Sequence, residues 1–266
     1  MSAEPIEPDL PEGKSPEDSS GAGAEGEGKR EAGIVERAIR RMSDRRDVVV
    51  WEGEPVEASP ALSYAHDSGS IRAEKLRSLR TELLMRLGTH QGAAAFAILG
   101  ARPGEGRSQL CAELALAFAQ LAGKTLLVDA NLRKPALDKL FRGTRSNSGL
   151  SELLQGKAHT LPLHRVIGPQ HLALLTAGTP PANPVDLLSG TQFERLVKDW
   201  SRTYDYVLID TPPTALRSDG IVIANAVRNV VLVAHRNNTS YADVTELRRR
   251  LDSTQARILG AVLNDF

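Results

Sequence analysis

The chain has 266 residues with 33 basic and 33 acidic side chains, so its formal net charge is zero, and 41% of the residues are apolar. That length accommodates one or two domains with a buried core, and electroneutrality argues against a dedicated nucleic-acid binder, leaving room only for a local basic face. A single cysteine, Cys111, excludes an internal disulfide framework and a Cys-rich zinc site, and no apolar run approaches the roughly 18 residues of a bilayer span.

Met1 to Pro16 is acidic and Pro-rich, the wrong composition for a secretory signal, so a soluble cytoplasmic protein is expected. Residues 1–32 hold nine acids against three bases and almost no large apolar side chains. Such a segment buries too little surface to offset its ordering entropy, which predicts a disordered tail. Within 33–46, Ile34, Val35, Ala38, Ile39 and Met42 share one helical face, ringed by Arg37, Arg40, Arg41 and Arg45. This short basic amphipathic helix either docks on its own domain or frays, or it contacts a partner or an anionic membrane surface. Residues 47–69 read as a linker.

From residue 70 to 266 the pattern becomes one of alternating helix and buried strand. Apolar runs fall at Ala93 to Gly100, Thr125 to Ala130, Leu172 to Ala177, Tyr206 to Asp210, Val230 to Ala234 and Ile258 to Leu263. They lack period-two alternation, as strands covered on both faces do. Helical stretches at 72–88, 107–122, 191–202, 215–227 and 240–252 separate most of them. The expected fold is therefore α/β: a doubly wound, mostly parallel sheet with helices on both faces, whose ligands sit beyond the carboxyl ends of the strands.

The first buried strand runs into Gly100-Ala101-Arg102-Pro103-Gly104-Glu105-Gly106-Arg107-Ser108-Gln109 and then a helix. Strand, Gly-rich turn and helix start together place successive backbone N–H groups and the positive helix end around an anion. The spacing resembles a P-loop, with Ala101 in the first glycine place, Gly106 in the second, Arg107 in the lysine place and Ser108 as the hydroxyl for Mg²⁺. An ordinary Gly-rich connection has the same spacing. Arginine is a bulkier planar fork than the compact lysine ammonium, so nucleotide binding is expected to survive better than turnover.

Asp129 ends the second strand (LLVDANLR) and Asp210 a later one (VLIDTPP). A carboxylate after an apolar run is costly unless it meets a cation, a donor or water. At the ligand edge of a parallel sheet, Asp210 would hold Mg²⁺ and Asp129 would touch the metal or take the proton of an attacking hydroxyl. Capping of the following turn is the alternative for each.

Taken together, these segments resemble the bacterial tyrosine kinases, the polysaccharide co-polymerase ATPases of exopolysaccharide and capsule synthesis, within the P-loop NTPase superfamily. The likeness runs over roughly residues 70–266. EKLRSLR, with Glu74, Arg77 and Arg80, matches the family's E-x-x-R-x-x-R helix, which implies ring-like self-association. ARPGEGRS resembles its Walker A, LLVDANLRKP its Walker A-prime and VLIDTPP its Walker B. SGLSELL, AGTPPANPVDLL and the closing GAVLND match further stretches, and IVERAI resembles a segment of the subgroup tied to exosortase-type loci.

The resemblance implies ATP and Mg²⁺ as ligands. Ala101, Pro103, Gly104, Glu105, Gly106, Arg107, Ser108 and Gln109 would form the nucleotide site, with Asn264 near the base; as an Asn ending a strand, Asn264 equally suits a turn. Ser108, Asp210 and Asp129 would be the metal residues, and Asp129, Arg107 and Asp210 the catalytic ones. It further implies protein tyrosine substrates, a membrane-embedded chain-length determinant (Wzz-like) as adaptor, no nucleic acid, and a cytoplasmic location peripheral to the inner face of the plasma membrane. Arg107 departs from the family's lysine, and Asn131 from the second aspartate of its D-x-D. A tyrosine cluster is usual at the family's C-terminus; here the last residues are Asn264-Asp265-Phe266, and the tyrosines are Tyr64, Tyr204, Tyr206 and Tyr241. Tyr64 and Tyr241 are the expected exposed acceptors, and Tyr204 and Tyr206 core or edge residues. Besides a kinase, two readings fit these residues: a degenerate nucleotide-binding scaffold of the same family, and a ParA/MinD-type positioning ATPase.

Overall fold

The computed structural model describes residues 53–88, 94–144, 148–158, 162–169, 171–215 and 217–265. The expected tail 1–32, the amphipathic helix 33–46 and the first residues of the linker lie outside them. The strands are β1 (Glu57–Ala58), β2 (Ala94–Gly100), β3 (Thr125–Asp129), β4 (Phe141–Arg142), β5 (Leu163–Arg165), β6 (Leu172–Leu175), β7 (Tyr206–Asp210), β8 (Asn229–His235) and β9 (Arg257–Asn264). Seven form one sheet in the order β5-β6-β3-β7-β2-β8-β9, and β1 pairs with β4 apart from it. Every pairing in the large sheet is parallel except β5 with β6. The expected doubly wound α/β architecture is present.

Successive side chains of a strand point to opposite faces, and here both faces are packed. On one, Ala97, Leu99, Val128, Leu175, Ile209 and Leu232 meet the helices Thr191–Thr203 and Asp219–Val227. On the other, Phe96, Ile98, Leu127, Leu174, Leu208 and Val233 meet the helices Ile71–Leu87 and Arg107–Phe118. Residues from Leu110 through Phe118 are all buried. The helix Thr191–Thr203 instead buries only Phe193, Val197 and Trp200, one stripe at helical spacing.

The segment after Gly53, expected to be a linker, packs on the core. Val56, Leu62 and Tyr64 are buried. The Tyr64 hydroxyl donates to Gln120 Oε1 at 2.6 Å, so Tyr64 is not the exposed acceptor its position implied. Nearby, the fully buried Glu113 accepts from Ser63 Oγ at 3.0 Å and from Arg72 Nε at 2.8 Å and Nη2 at 2.6 Å. Removing the cation strands a buried carboxylate, so Arg72→Met is expected to cost about 3 kcal/mol. Urea unfolding would show this as a lower midpoint at unchanged slope.

Candidate nucleotide-binding and phosphotransfer site

The site lies where β2, β3 and β7 end side by side. β2 stops at Gly100 and the chain crosses a turn to the helix Arg107–Phe118. Gly104 and Gly106 hold φ of 78° and 82°, the left-handed region that glycine enters without penalty. Gly106 caps the helix with no side-chain bond to its N-terminal amides, which leaves that end without a side-chain acceptor. At Gly100, a Cβ would stand 2.1 Å from Glu105 Oε2 and 2.9 Å from Arg107 Cδ. The loop's own side chains fold over its first residue, and only glycine leaves room for them.

Distant residues hold that loop. Thr211 Oγ1 donates to the Ile98 carbonyl at 2.6 Å, and Thr214 donates to the Gly100 carbonyl through Oγ1 at 3.1 Å and through its amide at 3.0 Å. Thr239 Oγ1 donates to Glu105 Oε1 at 2.7 Å, Asn238 Nδ2 to the Pro103 carbonyl at 3.1 Å, and Arg102 Nε to Asp243 Oδ2 at 2.6 Å. Asn264 Nδ2 donates to the Glu105 carbonyl at 2.7 Å. The amide that the sequence placed near a base is thus engaged with the loop backbone. Gln109 Nε2 points to the Ala61 carbonyl.

Ser108, Asp210 and Asp129 converge. Ser108 Oγ donates to Asp210 Oδ2 at 2.5 Å, and Asp210 Oδ1 is buried with no partner. Asp129 lies opposite Asp210 in the β3–β7 register. Its Oδ1 accepts from the Asn131 amide and its Oδ2 from the Ala136 and Leu137 amides, each at 3.0 Å, so it also closes the loop that follows β3. Burial pushes both carboxyls above the ordinary range, and the charge of Asp210 adds to the rise at Asp129. At Asp210 the Ser108 hydroxyl and the Arg107 guanidinium pull the other way. Two buried acids, one with an unpartnered oxygen beside a hydroxyl, form a hard oxygen donor set that fits Mg²⁺. Among the described residues no three His, Cys, Asp or Glu side chains come together as a metal cluster. One or two protein oxygens completed by phosphate and water is the coordination Mg²⁺ ordinarily adopts.

Arg107 is buried, with Nη1 3.4 Å from the Gly100 carbonyl and Nε unpartnered. Burial lowers its basicity, offset in part by Asp210 and Glu105. Beyond the ends of β3 and β6 opens a cleft of about 410 Å³, with Arg133, Lys134 and Lys139 facing Thr176 and Gly178. Arg133 Nε also donates to the buried Asp219 Oδ1 at 3.0 Å. The cleft wall joins two stretches far apart in sequence: Leu150 and Ser151 amides donate to the Thr176 and Ala177 carbonyls, and Glu152 accepts from the Gly149 and Thr179 amides. Away from the site, Arg77 pairs with Glu74 on the surface, whereas Arg80 turns inward to the Ala117 carbonyl at 2.5 Å. Thr211, Thr214, Thr239 and Asp243 brace the loop through partners more than a hundred residues away, contacts that no short-range pattern announces.

Fold and site together define a P-loop-type α/β protein with two acids at its strand tips. No family model matches the sequence. The chain is 32% identical over 195 residues to the tyrosine-protein kinase YwqD of Bacillus subtilis, covering 73% of this chain and 81% of that one. It superposes on the kinase domain of the Escherichia coli tyrosine kinase ETK with a TM-score of 0.71 at 29% identity, covering 83% and 84% of the two chains. The septum site-determining protein MinD of Pyrococcus horikoshii, solved with Mg-ADP, shares the fold at a TM-score of 0.53 and 21% identity, over 63% of this chain and 68% of that one. The chain belongs to the bacterial tyrosine-protein kinase family.

Proposed function

We propose that this protein transfers the γ-phosphoryl group of ATP to tyrosine hydroxyls and thereby regulates exopolysaccharide or capsule assembly. The observation that carries the reading is the Ser108–Asp210 contact at 2.5 Å beneath a turn with two left-handed glycines, with Asp129 on the adjacent strand tip. The turn from Ala101 to Ser108 cradles the phosphates with backbone amides, and the helix dipole favours their charge. Ser108 Oγ and Asp210 Oδ1 would hold Mg²⁺, with Asp129 on the neighbouring strand tip. The ion would supply charge neutralisation on the phosphoryl oxygens. Asp129, kept protonatable near neutrality by burial, accepts the proton of the acceptor phenol. The phenol oxygen bonds to the γ-phosphorus as the bond to the ADP oxygen breaks, and the chain acts chiefly by positioning. The basic cleft of Arg133, Lys134 and Lys139 admits the acceptor polypeptide.

Among the described residues no helix is long and apolar enough to cross a membrane. A Wzz-like membrane adaptor is the partner this reading requires, placing the kinase at the inner face of the plasma membrane. Self-association uses the exposed Glu74 and the half-buried Arg77 on the helix Ile71–Leu87, while Arg80 fixes that helix to its neighbour. Purified protein with Mg²⁺-ATP and an adaptor fragment is expected to yield phosphotyrosine by immunoblot and mass spectrometry. Nucleotide binding that changes oligomer size with no phosphotyrosine would replace the kinase with a scaffold.

A further inference from the structure

The cleft beyond β3 and β6 is built on the same loop that Asp129 closes. The Ala136 and Leu137 amides donate to Asp129 Oδ2, and the residues on either side of them, Pro135 and Asp138, line the cleft. The opposite wall, from Thr176 to Gly178, follows β6, the strand paired with β3. The cleft therefore opens beside Asp129. Its three cations are not equivalent. Arg133 Nε donates to Asp219 Oδ1 at 3.0 Å, and Asp219 is 1% exposed, so that charge is committed within the chain. Lys134 and Lys139 are exposed, and among the described residues no ion pair holds either ammonium. One carboxylate, Asp138, shares the lining with them. Two uncommitted ammonium groups against one acid leave the cleft positive, and the low-dielectric walls of Pro135, Ala177 and Pro180 focus its field.

Resting on the kinase reading, we propose that Lys134 and Lys139 set acceptor specificity, selecting polypeptides in which acidic residues flank the tyrosine. A lysine ammonium is a point charge on a flexible stem, so it meets a carboxylate without the fixed fork geometry that arginine demands. Such a pair of contacts tolerates many acceptor sequences as long as they are acidic. The lysines touch the flanks and not the reacting oxygen, so the effect falls on KM more than on kcat. Exposed ion pairs are individually weak, and two acting together are worth about tenfold at low salt. Added salt screens them.

The test gives the full chain and Mg²⁺-ATP three peptides of equal length, each with a central tyrosine flanked by glutamate, glutamine or lysine. Fluorescence anisotropy of the labelled peptides measures their binding in parallel. The expected order in kcat/KM and in affinity is glutamate, glutamine, lysine, with about tenfold between the first two, carried mainly by KM and reduced by added salt. Lys134→Glu combined with Lys139→Glu is expected to reverse the order and favour the lysine-flanked peptide. A merely damaged fold would depress all three peptides together. If the reversed chain does not fold, Lys134→Gln with Lys139→Gln is expected to bring the glutamate and glutamine peptides to within about twofold of each other. Equal kcat/KM for the three peptides, or an order that survives these substitutions, would overturn the selection and leave the kinase intact. If no peptide is phosphorylated the kinase reading falls, and anisotropy still decides: equal affinities overturn the selection as well, whereas an order reversed by the double substitution upholds the cleft as a site for acidic polypeptide.

Discussion

Asp210→Asn is expected to lower phosphotyrosine formation by ~10³-fold or more while making the nucleotide-free protein more stable at neutral pH. The loss follows from removing the carboxylate whose unpartnered oxygen lies beside the Ser108 hydroxyl, a contribution on the order of several kcal/mol to the transition state. The gain follows from the same burial. Asp210 is fully buried and its pKa is raised from 3.8 to about 6, with desolvation the largest cause. Below pH 4 both folded and unfolded chains hold the proton. Between about pH 4 and pH 6 the unfolded chain ionises first, so stability falls as pH rises, and above that range the deficit persists. Asparagine keeps the acceptor for Ser108 and carries no charge, and it also relieves Asp129 of a repelling neighbour. At ~1.4 kcal/mol per pKa unit the variant should gain about 3 kcal/mol at pH 7.5 and little at pH 4. Thermal melts at the two pH values test this. A variant less stable than the natural chain at pH 7.5 would mean that Asp210 is not an uncompensated buried charge.

The central sheet was legible because its strands are covered on both faces. Phe96 and Ile98 pack on one side and Ala97 and Leu99 on the other, so the apolar run has no polar gaps and reads as parallel. What escaped was short. β5 has three residues and β1 and β4 two each, and the helices Leu137–Leu140, Leu150–Leu154 and Pro184–Ser189 are little more than a turn, too brief for any periodicity. The segment around Val56, Leu62 and Tyr64 has scattered apolar residues with no repeat. It folds because each finds a gap beside the helix Arg107–Phe118 or under β4, a fit that only the third dimension displays. The same division holds at the site. Ser108, Asp129 and Asp210 announce themselves by residue type at strand ends. The bonds that brace the loop, Thr239 to Glu105 and Arg102 to Asp243, join residues separated by 134 and 141 positions, and the sequence carries no mark of them.

Arg107→Lys is expected to raise the rate of phosphotransfer by about 10- to 100-fold while changing ATP affinity far less. In the natural chain the guanidinium lies inside the loop, 7% exposed, with Nη1 turned toward the Gly100 carbonyl and Nε unpaired. Its Cδ methylene, with Glu105 Oε2, fills the space that Gly100 leaves open. To reach the phosphates it must leave that packing with a bulky head, and its charge is spread over three nitrogens. A lysine ammonium is compact, sits on a flexible stem and places its whole charge at one point on the β- and γ-phosphates. Backbone amides supply most of the ground-state cradle in either case, so the difference falls on the transition state, where charge moves toward the leaving oxygen. Adding Asn131→Asp would place a second carboxylate two residues past Asp129, at a position 7% exposed, and so sharpen the demand for Mg²⁺. Initial rates of phosphotyrosine formation at saturating ATP, set against calorimetric ATP affinities, separate the two effects. If Arg107→Lys binds ATP as the natural chain does but gains no rate, with or without Asn131→Asp, then Arg107 is not what limits phosphotransfer.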